Sequence, residues 1–297
     1  MTALDDAKAH ALAAAGLVCV VGPTASGKTE LAIRIAEAID GVVISADSVQ
    51  IYRGFSIGSG APTREELARA PHRLVATHAP EAPIDAAEWA RLAEQEIAAI
   101  RAAGKVPVVC GGTFFWVRAL VRGHVEAPAA DPAVRERHRL LVEAEGRSAL
   151  HEVLRTIDPA SAARLHPNDV VRVSRALEVH ELSGRTMTEW HAEHGFRGHR
   201  HEATLVALRH EPEHLTERIE HRIVHWLANG WIEEVEGLIA AGHRDSRAMG
   251  SVGYAEVRDL LEGKLPREEL VPAIVRATRI FARRQRTWLN SATVAWF

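Results

Sequence analysis

The sequence predicts an α/β fold: a parallel sheet flanked by helices, with a mostly helical insertion. Two observations carry that expectation. Four apolar, β-branched runs, "LVCVV" from Leu17, "GVVISAD" from Gly41, "KVPVVCGG" from Lys105 and "ATLVALR" from Ala203, alternate with helical patterns such as residues 86–103. Strands alternating with helices are the pattern of a parallel sheet. Between about residues 123 and 199 the β-branched runs stop, and charged, His-rich segments broken by Pro and Gly take over, as in an insertion between core strands. The expected division is a core of residues 1–122 and 200–297, its last part helical, with an insertion domain of residues 123–199.

Composition narrows the function classes. A chain of 297 residues, 47% hydrophobic and 25% charged, has the ordinary make-up of a globular protein with a full core. A net charge of −3 argues against a globally basic nucleic-acid binder and leaves room for a local patch. No apolar run approaches a membrane span, and "MTALDDAKAH" has no basic stretch of the secretory type. A cytoplasmic monomer with no membrane contact is expected. Cys19 and Cys110 lie in strand-like runs, where a buried free thiol is the ordinary state.

The first strand leads into "GPTASGKT", residues Gly22, Pro23, Thr24, Ala25, Ser26, Gly27, Lys28 and Thr29. Strand, glycine-rich loop and amphipathic helix together make a P-loop, so the core is P-loop NTPase-like. Backbone amides and a helix N-terminus face a phosphate, Lys28 adds a full charge, and the Thr29 hydroxyl can ligate Mg2+. The motif specifies phosphate, ATP included, without saying which. "ISADSVQIY" places Asp47 at a strand's carboxyl end, where an aspartate serves either as an acid–base group or as an Asx turn. In "GGTFFWVRALV", Thr113 follows a glycine pair and suits either a helix cap or a donor to phosphate or base. The residues alone leave both alternatives open.

The ordered strings "GPTASGKT", "ISADSVQIYRG", "APHRL", "GGTFFWVRALVRG", "ADPAVRER", "HPNDVVRVSRALEV", "VGYAEV" and "ATRIFARRQRTWL" resemble the tRNA dimethylallyltransferases, also called tRNA isopentenylpyrophosphate transferases, over nearly the whole chain. The resemblance implies that the loop from Gly22 to Thr29 holds the diphosphate of dimethylallyl diphosphate, with Mg2+ at Thr29. It implies that Lys28, Asp47 and Thr113 are catalytic, Asp47 taking the proton of the acceptor amine. The acceptor is the adenosine 3′ to the anticodon. Contacts to the anticodon stem-loop of tRNA are implied for Asp47, Ser48, Val49 and Gln50, for Thr113 and Arg135, for Val171, Arg172, Val173, Ser174 and Arg175, and for Arg279, Arg283 and Arg284. Gln50 is a candidate reader of the flipped base. Two positions depart from the family pattern: Ala61 stands in "IGSGAP" where a lysine is usual, and Trp116 where a tyrosine is usual.

A near-neutral chain needs concentrated charge to hold tRNA. Between Pro272 and Asn290 there are five arginines and no acid. On a helix, Arg276, Arg279, Arg283 and Arg286 fall within one arc, with Ile274, Ala277, Phe281 and Trp288 expected on the packed face opposite. Arg172 and Arg175, at i and i+3, share another face. His191, His194, His199 and His201 fall in a polar stretch, read as a solvated loop with no zinc site. Rival functions for the same motifs are a small-molecule kinase, a prenyltransferase acting on free adenine nucleotide, and a non-catalytic RNA binder.

Overall fold

The computed structural model describes residues 6–125, 127–194, 200–290 and 292–297. Two compact units are present, one running to Val121 and resuming at His201, the other spanning Arg122–Arg200. The first unit contains α1 (Asp6–Ala14), β1 (Leu17–Val21), α2 (Lys28–Ala38), β2 (Gly41–Ser45), α3 (Arg64–Arg69), β3 (His72–Arg73), α4 (Ala86–Ala102), β4 (Val106–Gly111) and α5 (Phe114–Arg122). The second contains α6 (Pro132–Glu145), α7 (Arg147–Ile157), α8 (Pro159–Arg164), α9 (Val170–Ser183) and α10 (Met187–His194). The first then continues through β5 (Ala203–Ala207), α11 (Pro212–Ala228), α12 (Trp231–Ala240), α13 (Tyr254–Leu261), α14 (Leu270–Leu289) and β6 (Ala295–Trp296).

The sheet order is β3-β2-β4-β1-β5-β6, and every pairing is parallel. The four expected strands form its centre, while β3 and β6, two residues each, complete the edges. Neither edge strand is long enough to carry a sequence period. All residues of β1 and β2 are buried, as befits strands covered on both faces. Alternate side chains serve different layers: Leu17, Cys19 and Val21 join the core that includes Trp89 of α4 and Ile219 of α11. Val18 and Val20 join the core beneath α2, with Leu31, Ile33 and Ile35. Both cysteines are buried free thiols, and burial pushes each up to about 12.

One expectation about packing is corrected. Phe281 is 42% exposed, and the packed stripe of α14 is Ile274, Thr278, Ala282, Gln285 and Leu289. Two polar side chains lie on that stripe, so an apolar count turns the face by more than half a right angle. Of the arc expected to face solvent, Arg276, Arg279 and Arg283 are exposed while Arg286 is half-buried, and Arg284 is exposed beside them. Trp116 is buried and stacks on Trp89, with centroids 5.2 Å apart and planes 18° apart. Its departure from the family pattern is thus absorbed by the core.

The second unit packs around Leu150, Leu154, Ala162, Val173, Ala176 and Leu177. Amid it sits Glu178, fully buried, whose carboxylate accepts from Arg135 Nε (2.9 Å), Arg175 Nη1 (2.6 Å) and the Asp131 N–H (2.8 Å). Burial alone would raise its pKa, but these donors outweigh it and hold the carboxyl below the ordinary 4.5. A folded-state pKa below the unfolded one gives stability that is present above pH 4.5 and lost as pH falls through the folded value. Glu178→Gln removes the negative charge that accepts from three donors and is expected to cost about 2 kcal/mol, with a weaker dependence of stability on acid. Urea unfolding at neutral and acid pH measures both.

Candidate active site

The phosphate loop joins β1 to α2 in a conformation that its sequence permits. Gly27 has φ 84° and Ala25 φ 63°, and the left-handed region is open to glycine and strained for alanine. Lys28 Nζ turns back toward the Pro23 carbonyl (3.4 Å). Burial lowers its pKa from the ordinary 10.5; Asp47 opposes that shift and Arg222 adds to it.

Three neighbouring strands, β2, β4 and β1, end side by side at this loop. Past β2, Asp47 Oδ1 accepts from the N–H groups of Val49 (2.9 Å) and Gln50 (3.3 Å). Asp47 therefore makes the Asx turn that the residues allowed, on one oxygen. Past β4, the Thr113 N–H donates to the Ala46 carbonyl (3.1 Å), and Thr113 Oγ1 accepts from the Ser48 N–H (3.1 Å). The hydroxyl thus faces the Asp47 turn. The glycine pair makes this lacing possible, since a Cβ at Gly111 would lie 2.1 Å from the Ala46 oxygen.

Gln50 is engaged within the protein. Its Oε1 accepts from Ser45 Oγ (3.0 Å), and its Nε2 donates to the carbonyls of Ser59 (3.1 Å) and Gly60 (2.9 Å). Both amide donors are used, so Gln50 orders the "IGSGAP" turn and has none left for reading a base. Glu234 holds the same turn by accepting from the N–H groups of Ser56 (3.0 Å), Ile57 (2.7 Å) and Gly58 (3.3 Å) and from Tyr254 Oη (2.6 Å). Ala61 lies at its end.

The segment before α11 and the helices α11 and α14, far along the chain, supply residues that motif reading missed. Arg222 donates to Thr24 Oγ1, Arg218 Nε to the Ala25 carbonyl (2.8 Å), and His210 Nε2 to the Ser26 carbonyl (2.6 Å). Gln285 Oε1 accepts from the Thr24 N–H (2.9 Å). Arg222 also lies over the Trp226 ring, 4.5 Å from its centroid. Burial lowers its pKa to about 10, Asp47 opposing, and its buried Nε has no hydrogen-bond partner among the described residues. A spacing of i, i+4 in "RIEHR" is the one signal that pairs Arg218 with Arg222 on one helix face.

In the second unit, Val171 is 80% exposed and the Arg172 side chain 75%. Both begin α9 and are open to a partner. Val173 is fully buried in that unit's core, so its side chain is withdrawn from contact. Ser174 Oγ shares a hydrogen bond with His138 Nδ1 (2.8 Å), and Arg135 and Arg175 converge on Glu178. Among the histidines, His201 is no part of a solvated loop: its side chain is 12% exposed, and Nε2 donates to the Glu94 carboxylate (2.9 Å). His199 and the side chain of His194 lie outside the described residues. Among the described residues no group of three or more His, Cys, Asp or Glu could hold a metal ion, and no helix is long and apolar enough to cross a membrane.

Known proteins resemble this chain in sequence and in fold. The family described as IPP transferase matches residues 50–292. A tRNA dimethylallyltransferase of Sorangium cellulosum is 61% identical over 94% of this chain and 89% of its own length. That of Geobacter sulfurreducens is 42% identical over 92% and 88%. The crystal structure of a full-length tRNA isopentenylpyrophosphate transferase from Bacillus halodurans superposes with a TM-score of 0.69 at 35% identity, covering 95% of this chain and 89% of that one. A eukaryotic dimethylallyltransferase, whose structure is described as acting on tRNA, shares the fold with a TM-score of 0.80 at 23% identity over 95% and 73%. With the phosphate loop, Asp47 and Thr113 assembled at adjoining strand ends, the chain belongs to the IPP transferase family, that of the tRNA dimethylallyltransferases.

Proposed function

We propose that this chain transfers the dimethylallyl group of dimethylallyl diphosphate to the exocyclic amine of the adenosine 3′ to the anticodon in tRNA. The observation that carries the reading is the juxtaposition of loop, carboxylate and hydroxyl at the ends of β1, β2 and β4. Breaking the allylic C–O bond places negative charge on diphosphate and positive charge on carbon. Loop amides, Lys28 and the arginines behind Thr24 and Ala25 stabilise the departing anion. The adenine amine is a weak nucleophile, because its lone pair is delocalised into the ring. As the new C–N bond forms, the amine proton passes to Asp47, whose Oδ2 makes no hydrogen bond among the described residues, and diphosphate leaves with the C–O electron pair. Thr113, its hydroxyl turned to the same place, orients the acceptor.

Mg2+ suits this site in the form that keeps water and substrate oxygens as its main ligands, with few from protein. The Thr29 hydroxyl beside the loop would be the protein oxygen for it. Such an ion would neutralise charge on the diphosphate. The test of the reading is transfer of labelled dimethylallyl from its diphosphate to bulk tRNA, with and without ATP. Transfer that needs stoichiometric ATP hydrolysis would contradict it, and efficient prenylation of AMP would point to a nucleotide-modifying enzyme.

A stacked base must leave its stack before its amine can react, and holding an RNA loop open requires phosphate contacts. The exposed faces of α14, with Arg279, Arg283 and Arg284, and of α9, with Val171 and Arg172, are the surfaces for this. Each phosphate contact releases counterions, so Arg283→Ala and Arg172→Ala should each lower the slope of log affinity against log salt by roughly 0.7 to 1. Fluorescence anisotropy with labelled anticodon stem-loop over a salt series measures it; unchanged slopes in both variants would remove these faces. Arg175 is unsuited to the experiment, because losing it takes one of the two guanidinium partners from the buried Glu178 and disturbs the unit's core.

A further inference from the structure

Resting on the prenyl-transfer reading above, we propose that Gln285 is a positioning residue that locks the phosphate loop in its anion-ready shape from the inner face of α14. Gln285 is 6% exposed, on a helix whose outward side is a row of arginines. Its Oε1 accepts from the Thr24 N–H (2.9 Å), and its Nε2 donates to the Gly112 carbonyl (2.9 Å). Those two partners follow β1 and β4, adjacent strands in the sheet. One buried amide thereby bridges the loop that holds the diphosphate and the glycine pair that leads to Thr113.

The site has a matching vacancy on the other side. A Cβ at Gly112 would come within 2.5 Å of Gln285 Nε2, so the second glycine of "GGT" admits the amide. Arg222 holds the Thr24 hydroxyl while Gln285 holds its N–H. With Thr24 fixed from two helices, the loop cannot swing, and the first amides of α2, which have no partner within the helix, stay aimed at the phosphate. A binding loop held in its bound shape beforehand gains affinity by avoiding the cost of ordering. With both ends of its amide engaged by Thr24 and Gly112, Gln285 acts through the loop.

Gln285→Met keeps length and volume and removes both hydrogen bonds. Inorganic diphosphate with Mg2+ should bind about tenfold more weakly by titration calorimetry, and the KM for dimethylallyl diphosphate should rise by a similar factor. Affinity for tRNA should stay unchanged. A folded variant with unaltered diphosphate affinity and KM would overturn the proposal, even with a lowered melting temperature, since that is the mark of a merely structural residue. The calorimetric readout needs no turnover, so it separates the failure of this proposal from the failure of wild type to prenylate tRNA, which would overturn the functional reading instead.

Gln285→Glu gives a second arm should the methionine variant fail to fold. A neutral carboxyl can accept from Thr24 and donate to Gly112, whereas an ionised one cannot donate. The wild-type to variant ratio of diphosphate affinity should therefore narrow as pH falls from about 8 to about 5, since burial favours the neutral form of a carboxyl placed there. A ratio independent of pH would count against the proposal.

Discussion

Replacement of Lys28 by alanine is expected to reduce turnover by roughly 10³-fold, the scale on which a single preorganised charge at a developing anion acts. The ammonium lies over its own loop, 3.4 Å from the Pro23 carbonyl, and in the proposed reaction it would face the leaving diphosphate. Affinity for the tRNA should be unaltered, because the exposed arginines lie elsewhere. A pH profile adds a second signature. Burial lowers the Lys28 pKa from 10.5, so the charged form is lost at a lower pH than for an ordinary lysine. The alkaline limb of kcat/KM, which reports the free enzyme, should fall below 10.5 in the wild type and be absent from the residual activity of Lys28→Ala. Measured turnover within tenfold of wild type would remove Lys28 from the machinery.

Asp47→Asn should lower the rate by roughly 10²-fold or more, the usual weight of a general base. Asparagine retains an Oδ1 that accepts from Val49 and Gln50, so the turn observed there survives and the loss reports basicity alone. Single-turnover transfer at saturating tRNA and diphosphate separates the chemical step from binding. An unimpaired Asp47→Asn beside an impaired Asp47→Ala would assign the residue to the turn and leave the proton's acceptor to be found elsewhere.

Local patterns made the centre of the fold legible. The phosphate loop needs strand, glycines and helix in immediate succession, and the strand-end positions of Asp47 and Thr113 follow from apolar runs that stop just before them. The rest of the site is built by contacts that no local pattern encodes. Gln285 and Thr24 are 261 positions apart, Arg222 and Thr24 198. A glutamine in "ARRQR" reads as one more solvated polar residue, which also explains the misplaced inner face of α14. Glu178 was invisible for the same reason: a carboxylate in "SRALEV" belongs by composition on a surface, and its burial becomes tolerable once Arg135 and the Asp131 N–H, more than 40 positions earlier, join the neighbouring Arg175. His201 reads as loop until Glu94, 107 positions earlier, is brought to it by the sheet.

The Val121 carbonyl accepts a hydrogen bond from the His201 N–H at 3.3 Å, so the chain leaves the first unit and re-enters it at the same point. For folding, this makes residues 122–200 a closed loop of the core. The entropy of closing such a loop rises only as the logarithm of its length, so a long insertion burdens the core little more than a short one. Since the second unit has a hydrophobic core of its own, it can form separately while β1, β4 and β5 find their register, and it can lengthen or shorten over generations without disturbing the strand ends where the chemistry is placed.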